Sequence, residues 1–165
     1  MRVFVEKQRF TQWWLWLLIA TILLVVLVPT MVKTVENKNI SLLFENAGFL
    51  IGTTTLFLVS AFLMYCTLKT KIDETGITYQ FIPFHLNKKG IYWSEVKKVY
   101  VRRYNPLLEY GGWGYRIGKS GKAYNVKGNQ GIQLELKNGK KLLLGTQKPK
   151  EAQQVIDRYF NNEGI

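Results

Sequence analysis

Hydrophobic residues follow two regimes along this chain. Before about residue 70 they come in unbroken runs, and after it they alternate with polar residues. Thr11 to Val32 is 22 residues without a charge, and Ala47 to Leu68 is a second uncharged run, bracketed by Glu45 and Lys69. At 1.5 Å per residue each run makes a helix of about 33 Å, enough to cross a hydrocarbon core of roughly 30 Å. The pattern predicts transmembrane helices over residues 11–32 and 47–68. It leaves an N-terminal segment 1–10, a loop 33–46 and a soluble domain 69–165.

Smaller signals fit these spans. Trp13, Trp14 and Trp16 open the first run, where amphipathic rings suit a headgroup boundary. Pro29 lies near its expected end, where a missing backbone donor does least harm. In the second run Thr53, Thr54, Thr55 and Ser60 can bond to helix carbonyls, and Gly48 and Gly52 form a small-xxx-small pair. Cys66, the single cysteine, is expected to act there as a small apolar packing residue. The first run is too long for a cleaved signal peptide and no small-residue cleavage site follows it.

Flanking charge sets an expected orientation. Arg2, Lys7 and Arg9 precede the first helix, and Lys69 and Lys71 follow the second. The intervening loop carries only Lys33 and Lys38, beside Glu36 and Glu45. Both termini are therefore expected in the cytoplasm, with a short external loop that includes the sequon Asn39-Ile40-Ser41.

The alternating region predicts about seven strands and one helix. Strands are expected over Thr70–Asp73 and Ile77–Ile82, around the turn Glu74-Thr75-Gly76, with Pro83 ending the second. Ile91–Trp93 and Val96–Tyr104 follow, and then Tyr115–Ile117 and Ala123–Val126 about a hairpin tip at Gly118–Gly121. Ile132–Leu136 and Lys141–Leu144 flank Asn138-Gly139, which predicts a type I′ hairpin turn. Thr146 is the expected N-cap of a closing helix with Pro149 in its first turn. Ala152, Val155, Ile156, Tyr159 and Phe160 form its apolar stripe, and Asn161, Asn162 and Gly164 end it.

Several stretches carry a family resemblance: Trp93-Ser94-Glu95-Val96, Arg102 to Leu107, and Tyr110-Gly111-Gly112-Trp113-Gly114-Tyr115-Arg116. Ala123 to Val126, Gly128 to Gly131, Gln133 to Leu136 and Gly145-Thr146-Gln147 continue it. Over residues 65–160 and the preceding helices, the chain resembles bacterial two-transmembrane-helix proteins with a pleckstrin-homology-like domain, a family without an assigned reaction. The resemblance implies a transmembrane hairpin followed by a seven-stranded PH-like barrel or sandwich, one end plugged by the C-terminal helix. It implies a place in the bacterial plasma membrane and carries no binding residue with it.

Charge adds a partner. The net charge is +12, and 18 of the 23 Lys and Arg lie from Lys69 onward, against 8 of the 11 acids. A basic domain on a membrane anchor suits anionic headgroups, at about 1 kcal/mol per basic residue near the surface. The bland alternative is solvated surface lysine. Alternation along Val96–Tyr104 points Lys98, Tyr100 and Arg102 outward and Val99 and Val101 inward. Arg103, Lys69 and Lys71 are expected to add to the same field as a lipid or partner contact. Gly111–Gly114 has two readings: a ligand loop with Trp113 and Arg116, or a bend that shapes the sheet.

No reaction is legible. One histidine, His85, and one cysteine cannot build a zinc site or a Cys-His or Ser-His-acid triad. Gly118-Lys119-Ser120 is the tail of a phosphate-loop pattern, but that pattern needs glycine where Trp113 stands. No nucleic-acid motif accompanies the charge. The expectation is a non-enzymatic, cofactor-free membrane-anchored module that contacts anionic lipid or a membrane-protein partner. The alternative is a structural or assembly subunit of a larger membrane complex.

Overall fold

The computed structural model describes residues 3–38, 47–118 and 120–160, which fall into two compact units. One is the helical segment Thr11–Tyr65, and the other joins Met1–Phe10 to Cys66–Ile165. The sequon, Glu45, Lys119 and the helix-ending Asn161, Asn162 and Gly164 lie outside the described residues.

The helical unit holds α1 (Trp13–Glu36) and α2 (Ala47–Tyr65), both long and apolar enough to cross a membrane. Thr34 is the one buried residue of α1 and α2 has none, so apolar side chains face outward on every side. Hydroxyls inside the helices bond to their own backbone: Thr21 to Leu17 O at 2.9 Å, Thr53 to Phe49 O at 2.8 Å and Ser60 to Leu56 O at 2.7 Å. That satisfies each polar group without a neighbour, as an apolar surround requires. A Cβ on Gly52 would stand 4.0 Å from Val26 Cγ1, so this glycine does sit at the helix–helix approach. Helix α1 runs four residues past Val32, which puts Pro29 inside the helix rather than near its end.

The β unit has nine strands in two sheets rather than about seven, and no closed barrel forms among the described residues. The first sheet is a four-stranded antiparallel meander of β1 (Phe4–Arg9), β2 (Thr67–Asp73), β3 (Gly76–Ile82) and β4 (Lys89–Tyr92). The second contains β5 (Val96–Arg103), β6 (Gly114–Gly118), β7 (Gly121–Asn125), β8 (Gln130–Leu136) and β9 (Lys141–Gly145), in the order β5-β8-β9-β7-β6. Its β7–β9 pair is parallel. A short helix, α3 (Pro106–Tyr110), links β5 to β6, and α4 (Pro149–Phe160) closes the unit.

Strand β1 is the main departure from expectation. Its inward residues are Phe4, Glu6 and Gln8 and its outward ones are Val5, Lys7 and Arg9. Polar residues on the core face hide the alternation that marks a strand. Partners across the unit meet the Glu6 carboxylate and the Gln8 amide nitrogen. The Thr146 hydroxyl donates to Glu6 at 2.7 Å, the Gln147 N–H donates to Glu6 at 2.9 Å, and the Gln8 amide donates to Gly145 O at 2.6 Å. Thr146 is thus not the N-cap. It stands earlier, accepting from the Lys148 N–H at 3.0 Å, while Lys148 O accepts the first helical bond from Ala152. Leu68 is fully buried in β2 and Cys66 is buried before it, so the second apolar run leaves its helix at Tyr65.

The core between the sheets includes Phe4, Leu68, Ile72, Ile77, Phe81, Ile132, Leu134 and Leu144. Ala152, Val155 and Ile156 of α4 cover one side, as their spacing predicts. Gln153 of that helix accepts from the Val101 N–H at 2.8 Å, which occupies a donor of strand β5, an edge of its sheet. At the β8–β9 tip the turn differs from the expected type I′. Gly139 alone has positive φ, at 80°, and its N–H bonds to Leu136 O at 2.9 Å while Leu136 N–H bonds to Lys140 O. This is a three-residue loop with glycine at the left-handed position, which leaves Asn138 at negative φ to accept from the Lys140 N–H.

Candidate functional site

The face of the first sheet turned away from the core gathers most of its charge along its β1–β2 edge. Antiparallel register sets Lys7 against Lys69, Val5 against Lys71 and Arg9 against Thr67. Lys7, Arg9, Lys69 and Lys71 all point outward and are exposed. Lys7 directly opposes Lys69, a like-charge pair that weakens a ladder. Neither has an ion-pair partner among the described residues, and neither has Arg9. Only Lys71 is compensated, by Asp73 at 2.8 Å. That bond, with the Thr75 hydroxyl at 2.6 Å, holds the Asp73 carboxyl down to about 2. With Lys88, the lysines edge a shallow groove of about 270 Å³ over Thr78 and Gln80.

The expected stripe on β5 lies on the other sheet, and its charge is used internally. The alternation is as expected: Val99 is buried, Val101 packs against the core, and Lys98 is exposed on the opposite side. Lys98 Nζ sits 5.1 Å from the Tyr100 ring centre. Arg102 meets Glu109 of α3 through two nitrogens, at 3.2 and 2.6 Å, and its Nε donates to Gln133 at 3.1 Å. This fork draws the Glu109 carboxyl below its ordinary value and raises the Arg102 guanidinium above its own. Arg103 is exposed at the strand end. The structure thus does not join Lys69 and Lys71 to Lys98, Tyr100, Arg102 and Arg103 in one row.

The glycine stretch is accounted for by backbone. Gly111, Gly112 and Gly114 have φ of 70, 125 and 114°, and Gly111 caps α3 in the left-handed conformation. Trp113 Nε1 donates to Gly128 O at 2.9 Å, and Arg116 Nε donates to Trp113 O at 3.1 Å. Both candidate ligand residues therefore tie the loop to itself and to the neighbouring turn.

His85 is buried, in the segment after β3. Its Nδ1 accepts from the Phe81 N–H at 3.3 Å, and its ring meets Tyr124 edge-on at 4.9 Å. Burial, with Lys89 and Lys122 adding to it, pushes its pKa below the ordinary value. Among the described residues, no three His, Cys, Asp or Glu side chains gather as a metal site would require.

Lys7 and Arg9 were not legible as partners of Lys69, because β1 has no hydrophobic alternation. The available signal was the short outward row Val5, Lys7, Arg9 immediately before the first apolar run. No protein-family model matches the chain, and no curated protein does.

Proposed function

We propose that the chain is a membrane-anchored, non-enzymatic binding module whose β unit contacts anionic lipid headgroups at the inner leaflet. The observation that carries the reading is the basic row of Lys7, Arg9 and Lys69, which has no ion-pair partner among the described residues. Two opposed lysines weaken their own sheet, so an anionic partner relieves a cost that folding leaves in place. Chain connectivity supports a membrane surface as that partner. Arg9 precedes α1 by four residues and Thr67 follows α2 by two, so the basic row flanks both candidate spans.

The same pairing supports a hairpin topology. β1 and β2 bond along their length, so the segments before α1 and after α2 share one side of any bilayer that the helices cross. Basic flanks on that side favour the cytoplasm and the plasma membrane of a bacterium. The four-stranded meander, second sheet and C-terminal helix are read as an open variant of the PH-like architecture. An assembly subunit of a larger membrane complex is the second reading.

The β unit can be tested without its helices if β1 is kept. Continuing the register that pairs Arg9 with Thr67 would set Phe10 opposite Cys66, so an Asn-Gly turn can replace residues 11–65. Salt-sensitive binding of this protein to anionic but not zwitterionic vesicles is expected. Indifference to both vesicles sinks the lipid reading. A protein recovered in fixed ratio with the full chain from native membranes would then favour the assembly subunit.

A further inference from the structure

The space between the two sheets opens along one side. A cleft of about 700 Å³ has β4 as one wall and β7 with β9 as the other, within the roughly 300–1,000 Å³ of small-molecule sites. Its floor is Tyr79, Ile91, Tyr124 and Leu142, each less than a tenth exposed. Loss of water raises both tyrosine hydroxyls above their ordinary pKa, as an apolar floor would.

The rim has the opposite character. Lys89 stands on the β4 wall, and Lys122, Lys140 and Lys141 on the other. One carboxylate, Glu95, lines the cleft with them, and one of the lysines has an acid beside it. Glu95 accepts the Tyr92 N–H at 3.0 Å, and Glu135 lies 3.6 Å from Lys141. Excess positive charge around an aromatic and aliphatic floor is complementary to an anion that carries a hydrocarbon tail.

We propose that this cleft binds a single-chain amphiphile with an anionic head, a carboxylate or a phosphate monoester. The tail lies over Tyr79, Ile91 and Leu142, and the head stays among Lys89, Lys122 and Lys140. The site is separate from the outward row of Lys7, Arg9 and Lys69 and stands without it.

The test uses the full chain in nanodiscs of zwitterionic lipid. Three photoreactive probes share one alkyl chain and end in a carboxylate, a phosphate or an alcohol. Peptide mapping should place adducts on β4, β7 and β9, about tenfold more from an anionic probe than from the alcohol, the effect of losing partly screened charge pairs. Labelling by one anionic probe but not the other still supports the site and names its head. Lys122→Glu with Lys140→Glu should cut labelling about tenfold, since both side chains are exposed and the fold does not need them. A circular-dichroism melt checks that this variant folds, and undiminished labelling of the folded variant would overturn the proposal. Equal labelling by the alcohol, or adducts confined to Trp13–Glu36 and Ala47–Tyr65, would overturn the proposal.

Discussion

Two basic rows of similar composition behave differently in this protein. On β2 and β1, Lys69, Lys7 and Arg9 stand side by side with no ion-pair partner among the described residues. On β5, Lys98 rests on Tyr100 and Arg102 is clamped by Glu109 and Gln133. The sequence weights the second row more heavily, because its Lys-aromatic-Arg alternation is local and visible. The fold reverses the weighting. Charge counts measure what a surface carries, and pairing decides how much of it remains for a partner.

The comparison breaks most severely if β1 is removed. A protein that begins at Lys69 lacks β1 and the first residues of β2, so the buried Leu68 is lost and Ile72 and Ile77 lose cover. It should show no cooperative melt, whereas the version that joins Phe10 to Cys66 should unfold in one transition. Within β1, Glu6→Ala takes the acceptor from the buried Thr146 hydroxyl and from the part-buried Gln147 N–H. The expected loss is about 2–4 kcal/mol in urea denaturation, with Lys7→Ala as the neutral comparison.

The two rows separate under paired substitution. Lys7→Ala with Lys69→Ala should weaken binding to anionic vesicles by about 2 kcal/mol at low salt, at about 1 kcal/mol per charge. Stability should hold or rise slightly, because a like-charge pair is lost. Arg102→Ala should do the reverse, costing about 1–2 kcal/mol of stability as a two-nitrogen pair is lost, with vesicle binding unchanged. Equal binding losses in the two variants would erase the distinction between the rows.

The smallest effects come from pH. His85 is held neutral below the ordinary histidine value of 6.5, so the unfolded chain takes up a proton first. Stability should therefore be complete above about 6.5 and decline as pH falls below it. His85→Phe should flatten that decline. Asp73 acts in a lower window: its contribution is present above 3.8 and is lost as pH falls toward about 2. Loss of Asp73 charge frees Lys71, so a urea-denaturation series across both windows separates the core histidine from the basic face.

The apolar runs, the closing helix and eight of the strand positions were legible because each depends on local periodicity. Thr11–Val32 and Ala47–Leu68 mark helices through continuous hydrophobicity, and Ala152, Val155 and Ile156 mark one through spacing. Boundaries slipped where two environments have the same polarity. Cys66, Thr67 and Leu68 suit a bilayer and a β core equally, and only the pairing of Thr67 with Arg9 and Ile82 starts β2 at Thr67.

What sequence determined by itself was the order of the two long helices, the strands after them and the closing helix, with their apolar stripes. Hydrophobic patterning reports burial one residue at a time, and burial drives these choices. Tertiary structure alone decided that residues 4–9 form a strand, that Glu6 faces inward, and which cations stay unpaired. Glu6 and Thr146 are 140 positions apart. A buried carboxylate becomes tolerable only when such distant donors reach it. The same holds for Lys7 and Lys69, whose opposition exists only once the chain returns from its two helices to the strand it left.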